Sequence, residues 1–375
     1  MNSLCRPKNL LRALGLIMAT VSLTCLVAIF FDIWLEQAQA EPSLPLDIMV
    51  PNGAVNAIVV DPATGVSYIG GAFTQVGPNT GGGVPVGQLD GLILTDDSRP
   101  NSAVYATAAD GSGGWYIGGA FTMIGSVVRN RLAHILADGS LDSTWNPNAN
   151  STVYALALVG TDVYAGGAFS SVGGVSRGRL AAVGAAGALL PWNPNANSTV
   201  YALAADGSAV YAGGQFTTVG GTSRNRLAAV DLSGVLLPWN PDANNTVRAL
   251  AADGSAVYAG GQFTSVGGTA RNYAAAVSTA GALQSFDPNA NNIVYALAVL
   301  GPNVYLGGSF TSVGGTSRNR LAAVDSSGAL LPWNPNANST VYALAKDGAN
   351  LYIGGAFSTM SGVARSRLAA VNTSG

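Results

Sequence analysis

Eleven of the fourteen basic residues after residue 40 fall in one recurring slot, typified by Arg224 and Arg226 in the segment 197–243. Guanidinium groups gathered this way can capture an anionic glycan or a protein carboxylate. Each planar fork can equally bond nearby carbonyls and lock a repeated unit. Residues present in nearly every copy serve the repeat, so the structural role is the expected one. A second slot is an Asn-rich turn, Asn195-Ala196-Asn197 and its copies. Rings of amides can hold sugars or a cation, but Asn also tolerates left-handed backbone and bonds its own chain in turns. Only Asp242 and Asp287 place a carboxylate there. Calcium wants several at close spacing, so no metal and no cofactor are expected.

Acid–base chemistry has few candidates. His134 is the one histidine, in a slot where the other copies carry Ala, and Glu41 is the one glutamate after residue 40. Asp96-Asp97 is the sole adjacent carboxylate pair. A serine nucleophile with His134 as base lacks any supporting motif, so an enzyme is not expected. In a chain of near-identical copies, function should show where the copies differ. Arg248 stands in a Tyr slot, Tyr273 in an Arg slot, and Asp242 and Asp287 stand for Asn. These four are the candidate binding residues. For Arg248 two readings stand: a charge near a central channel, or drift between copies with the charge in solvent.

The elements that must position these groups are given by a repeat. Gly-Gly-x-Phe-Thr/Ser occurs seven times, from Phe73 to Phe357, at intervals of 47 or 48 residues. Within residues 197–243, Thr199–Ala205, Ala209–Phe216, Arg226–Asp231 and Val235–Trp239 read as four short strands, bounded by Asp-Gly, Gly-Gly and Asn-Pro turns. That is the pattern of an all-β, seven-bladed β-propeller of four-stranded antiparallel blades. Each blade lies between two others, which explains nearly continuous apolar runs. A glycine pair inside a strand needs a reason, such as a close neighbour or a bulge. Twelve of the thirteen tyrosines occupy two repeat slots, and packing between blades is the expected use of both.

Charged residues make up 10% of the chain and the net charge is −2. Without residues 1–40 it is −3, which gives no electrostatic case for nucleic acid or an anionic membrane. Residues 1–40 carry Arg6, Lys8 and Arg12, an apolar run from Ala13 to Phe31, and Ala38-Gln39-Ala40. This is the layout of a secretory signal cleaved before Glu41, with a retained membrane anchor over residues 13–31 as the alternative. Both cysteines, Cys5 and Cys25, lie there, so the domain at 41–375 has neither disulfide nor thiol chemistry. The last repeat stops after its third strand. Leu44-Pro45-Leu46-Asp47 and Pro51-Asn52-Gly53 resemble the missing piece, so the N-terminal strand is expected to complete the C-terminal blade and close the ring.

The repeated string of Tyr-Ala-Gly-Gly-x-Phe-Thr, Val-Gly-Gly, Arg-Asn-Arg-Leu-Ala-Ala-Val-Asp and Trp-Asn-Pro-Asn-Ala resembles the delta-60 repeat of exported bacterial β-propellers. Ala137–Pro147 is the most similar stretch. The resemblance covers residues 43–375 and is weakest in the first repeat, where Val84-Pro85-Val86 replaces the arginine pair. It implies a secreted or surface propeller and brings no catalytic residues. The expected function is a monomeric binding or scaffold module for an extracellular protein or glycan. A propeller-based glycan hydrolase or lyase and a plain structural spacer are the alternatives.

Overall fold

The computed structural model describes residues 50–61, 64, 66–76, 83–87 and 99–373. The expected signal or anchor, Leu44–Asp47, and the Asp96-Asp97 pair lie outside them. Every element among the described residues is a β-strand. They form seven three-stranded antiparallel sheets, each ordered inner, middle, outer along the chain. The fourth repeat shows the pattern: inner strand Val200–Ala205, middle strand Ala209–Gly214 and outer strand Leu227–Asp231. A two-stranded hairpin, Thr218–Val219 with Thr222–Ser223, sits between middle and outer strands. Each inner strand contacts the inner strands of both flanking sheets, and Val55–Asp61 of the first contacts Val341–Asp347 of the last.

The glycine pair proves to have both of the reasons proposed for it. A Cβ at Gly213 would stand 2.5 Å from Val247 Cγ1 of the next sheet. A Cβ at Gly214 would run into the carbonyl oxygen of Thr199 in its own sheet. The same two contacts recur in all seven sheets, ending with Gly354 against Val55. Opposite the pair the register slips: Val200 faces Gly214 and Ala202 faces Gly213, leaving Tyr201 as a bulge residue. Such a bulge re-aims one side chain out of the ladder.

The core lies between sheets rather than within one. Tyr164, Leu180 and Trp192 pack against Val200, Val210 and Phe216 of the following sheet. Middle strands are buried along most of their length, Ala209–Gly214 throughout. The tyrosine before each glycine pair belongs to this packing: Tyr211 meets Trp239 edge-on at 5.2 Å.

Two expectations need correction. The fourth strand is reduced to one bridge, Val230 to Leu236, with Leu237 N–H donating to Ala229 at 2.8 Å. Pro238 has no N–H to extend the ladder. Trp239 then leaves for the next blade, where its Nε1–H donates to the Ser278 carbonyl at 2.9 Å. Pro51-Asn52-Gly53 does not complete the last blade. Pro51 bridges Val76, and Asn52 Oδ1 accepts from Thr74 N–H at 2.8 Å, within the first blade. These residues match the Asn-Ala-Asn turn that opens a repeat, since Ala196 bridges Val219 in the same way. The last sheet meets the first through Gly354 on Val55 and through Arg367 Nη1–H, which donates to the Pro51 carbonyl at 2.8 Å.

Filling the Gly213 contact should overpack this junction. Gly213→Ala is expected to lower unfolding free energy by about 1–3 kcal/mol, measured by urea denaturation. Combined with Val247→Ala it should lose less than the sum of the two single changes. Strictly additive losses would show that the glycine is not needed for the valine.

Candidate functional site

Seven bulges, one per sheet, aim one residue each at the axis. In chain order these are Asn56, Tyr105, Tyr154, Tyr201, Arg248, Tyr295 and Tyr342, all half-buried. The rings touch in sequence: Tyr105 to Tyr154 at 5.3 Å and Tyr154 to Tyr201 at 5.2 Å. Arg248 Cζ lies 4.1 Å from the centroid of Tyr201, and across the ring Tyr295 meets Tyr342 at 5.5 Å. Beside them the inner strands enclose an axial cavity of 240 Å³. Its walls are an alanine and a larger residue from each strand, such as Ala202 and Leu203, and Asn56, Tyr105 and Tyr342 also line it.

The chemistry of this mouth is that of a neutral, aromatic, hydrogen-bonding surface with a single cation. Burial first, then the neighbouring Tyr201 and Tyr105, push the Tyr154 phenol above its ordinary value, so it stays a neutral donor. Arg248 makes no hydrogen bond or ion pair to another described residue, and its buried Nε–H faces no acceptor among them. The cation–π contact with Tyr201 contributes about 0.5–2 kcal/mol and holds the guanidinium at the axis. The structure therefore places Arg248 by the channel, stacked rather than extended into solvent.

The other three candidate residues lie away from the axis, around the junctions that join the fourth, fifth and sixth sheets. Asp242 takes a left-handed backbone, φ 60°, and its Oδ1 accepts from Asn225 Nδ2–H at 2.8 Å. Tyr273, at φ 63°, packs against the core beside Phe286. Asp287 Oδ2 is 4.0 Å from Arg271 Nη1. The Asn turns are built from their own amides: Asn197 Oδ1 accepts from Thr217 and Thr218 N–H, at 2.8 and 3.1 Å. The first arginine of each pair clamps carbonyls of its own blade. Arg224 donates through Nη1 to Ser223 and through Nη2 to Leu237, both at 2.9 Å.

Sequence reasoning missed two things. The inner-strand tyrosines were assigned to packing between blades, although their filling five of seven places beside Arg248 and Asn56 marked a single ring. It also left His134 without partners. His134 is buried, with Nδ1 3.0 Å from Asp142 Oδ2 and Nε2 3.1 Å from Asp110 Oδ2. Tyr116 stacks on its ring at 4.2 Å. Asp142 stands where the next repeat has Leu190, and His134 where it has Ala182, as the matching bonds to each show. An apolar pair has thus been exchanged for a hydrogen-bonded polar one. The remaining carboxylate oxygens are taken up locally, by Ser112 and Gly114 N–H on Asp110 and by Thr144 on Asp142. The cluster is a closed lock with no oxygen turned to a substrate.

The family described as "Domain of unknown function (DUF5122) beta-propeller" matches residues 111–144, the blade that holds this cluster. No curated protein matches the chain. Among solved structures, the crystal structure of the computationally designed Ika8 protein is similar, with a TM-score of 0.55 and 15% identity. The alignment covers 87% of this chain and 99% of that one. The likeness is one of fold: the chain is a β-propeller built of repeats. Among the described residues no group of three His, Cys, Asp or Glu side chains is arranged to hold a metal ion, and no helix is long and apolar enough to cross a membrane.

Burial raises the Asp142 carboxyl, but hydrogen bonds from His134, Thr144 and Trp145 outweigh it and hold the group at about 2. Its contribution to stability is therefore present above about pH 4 and is lost as pH falls toward the folded value. Asp142→Asn should be less stable than wild type at neutral pH, and the gap between their urea midpoints should close as the solution is acidified. A gap that stays constant down to about pH 3 would contradict this assignment.

Proposed function

We propose that the protein is a secreted or cell-surface binding module that seats an extracellular glycan on the axial tyrosine ring, beside Arg248. The observation that carries this reading is the convergence of seven bulge residues on one mouth. A purely structural spacer needs the glycine–valine contacts and the tryptophan anchors, but it does not need half-exposed phenols at the axis. Phenols packed at tilted angles offer apolar ring surface with hydroxyl donors, which suits sugar rings. Asn56 and Arg248 break the symmetry of the ring and give a ligand an orientation. Export follows from the layout of residues 1–40, and retention through residues 13–31 would leave the same mouth outside the cell.

The reading is tested by thermal unfolding of the protein with chitooligosaccharides and oligogalacturonates. A ligand that binds the folded ring raises its midpoint in proportion to concentration. Tyr201→Ala and Arg248→Ala should each weaken that ligand about ten-fold or more, the loss of one stacking or cation–π contact. Binding that both variants leave unchanged would place the ligand elsewhere.

A further inference from the structure

The two faces of the ring carry opposite charge. Strand register fixes which residues share a face. In the fourth sheet Val200, Gly214 and Leu227 lie at one end, and Ala205, Ala209 and Asp231 at the other. Every sheet stands the same way up, because each glycine pair meets the first valine of its neighbour's inner strand. All thirteen arginines among the described residues lie at the glycine-pair end, Arg248 and its tyrosine ring included. Nine of the twelve described aspartates lie in turns or at strand ends on the opposite side, Asp206 and Asp231 among them, together with Lys346. Only Asp242 and Asp287 share the arginine face, while Asp142 is bound to His134. The formal charge of the whole chain, −2, does not reveal that the described residues divide into a basic face and an acidic one.

On the basic face the second arginine of four pairs lacks a strong partner, whereas Arg367 of the last pair is held by the Pro51 carbonyl. Arg131, Arg226 and Arg320 reach only neutral amide oxygens of the preceding residue, at 3.2, 3.3 and 3.5 Å. Arg179 makes no side-chain hydrogen bond to a described residue, and none of these four is within 4.0 Å of a carboxylate there. They recur at one place in the second, third, fourth and sixth blades, each in a left-handed backbone with φ near 63–65°.

We infer that the arginine face binds a repeating polyanion, an acidic polysaccharide of the polyuronate class, laid across the ring with sugar units reaching the axial tyrosines. The ligand class rests on the reading above of the axial mouth as a glycan seat. Charge complementarity supplies the attraction. The arginines recur at one register position on one face, interrupted at Tyr273, so a polymer of identical charged units can meet more than one of them. Export selects among polyanions, since the repeating ones outside a cell are acidic polysaccharides.

The test is calorimetric titration of the full chain with oligogalacturonate, its neutral methyl ester and a single-stranded oligonucleotide. Two triple variants accompany it, at Arg179, Arg226 and Arg320. One changes all three to Asn, which tolerates left-handed backbone. The other changes all three to Tyr, the residue that the fifth blade already carries there as Tyr273 at φ 63°. Oligogalacturonate should bind at least about ten-fold tighter than its ester, and should weaken about ten-fold between about 50 and about 500 mM salt as exposed charges are screened. Both triple variants, folded by circular dichroism, should lose about ten-fold or more, as expected for charges that meet the ligand directly. Equal binding of the ester, no binding of oligogalacturonate, tighter binding of the oligonucleotide, or unaltered triple variants would each overturn the proposal. If Arg248→Ala loses binding and the triple variants do not, the axial seat stands and the arginine face falls. If the triple variants lose binding while Tyr201→Ala and Arg248→Ala do not, the polyanion face stands and the axial seat falls.

Discussion

The first glycine of each pair, packed under a γ-methyl of the next blade's valine, is the contact on which the rest of the structure depends. Val247 occupies the space that a side chain at residue 213 would fill, and Val55 does the same at residue 354. This close approach brings adjacent inner strands together around an axis and fixes their ends in common. The second glycine admits the Thr199 carbonyl and so permits the bulge at Tyr201. Assembly and site are thus set by neighbouring atoms: one glycine joins the blades, and the next turns a tyrosine out of the ladder toward the channel.

Two consequences follow from a common orientation. Whatever the repeat carries at one end of its strands is multiplied around one face. Arginines precede the outer strand in six of the seven blades and aspartates recur at the far ends of the strands, so repetition turns a local sequence habit into a separation of charge. The hydrogen bonds of the far turns are short and local, as in Asp206 with Ser208 and Ala209. On the opposite face Arg131, Arg226 and Arg320 have weak neutral partners instead. That asymmetry, rather than any one residue, sets the basic face apart from the acidic one.

Much of the fold was legible because it is written seven times over. Gly-Gly-x-Phe marks the middle strand, Asp-Gly the turn before it, and Trp the anchor into the next blade. The fourth strand was over-read because apolar residues such as Val235 and Leu236 look like strand, while the demand of Trp239 for its pocket in the following blade is not local to the sequence. Pro51-Asn52-Gly53 was misplaced for a related reason, since a turn that opens one repeat directly follows the segment that ends another. The tyrosine ring was hidden by its regularity: packing and lining both produce repeated aromatics, and only the register slip between Val200 and Ala202 separates them. The segregation of charge was invisible to a net count, which ignores the end of the strand on which each residue falls.

The central claim is that the glycine–valine contact runs unbroken around the ring, from the last blade to the first. Both cysteines of the chain lie in its first 40 residues, so a pair introduced at the contact can be followed after Cys5 and Cys25 are replaced by Ser. An ideal Cβ on Gly354 stands 3.0 Å from Val55 Cβ, and one on Gly213 stands 3.2 Å from Val247 Cβ. Disulfides need about 3.5–4.5 Å, within a small adjustment of either. Non-reducing electrophoresis and peptide mass mapping of Gly354→Cys/Val55→Cys, with Gly213→Cys/Val247→Cys as its internal counterpart, measure the contact directly. The account predicts that both pairs oxidise, the first tying the two ends of the ring into one covalent loop. A folded protein in which the 213–247 pair closes and the 354–55 pair keeps both thiols free would contradict it.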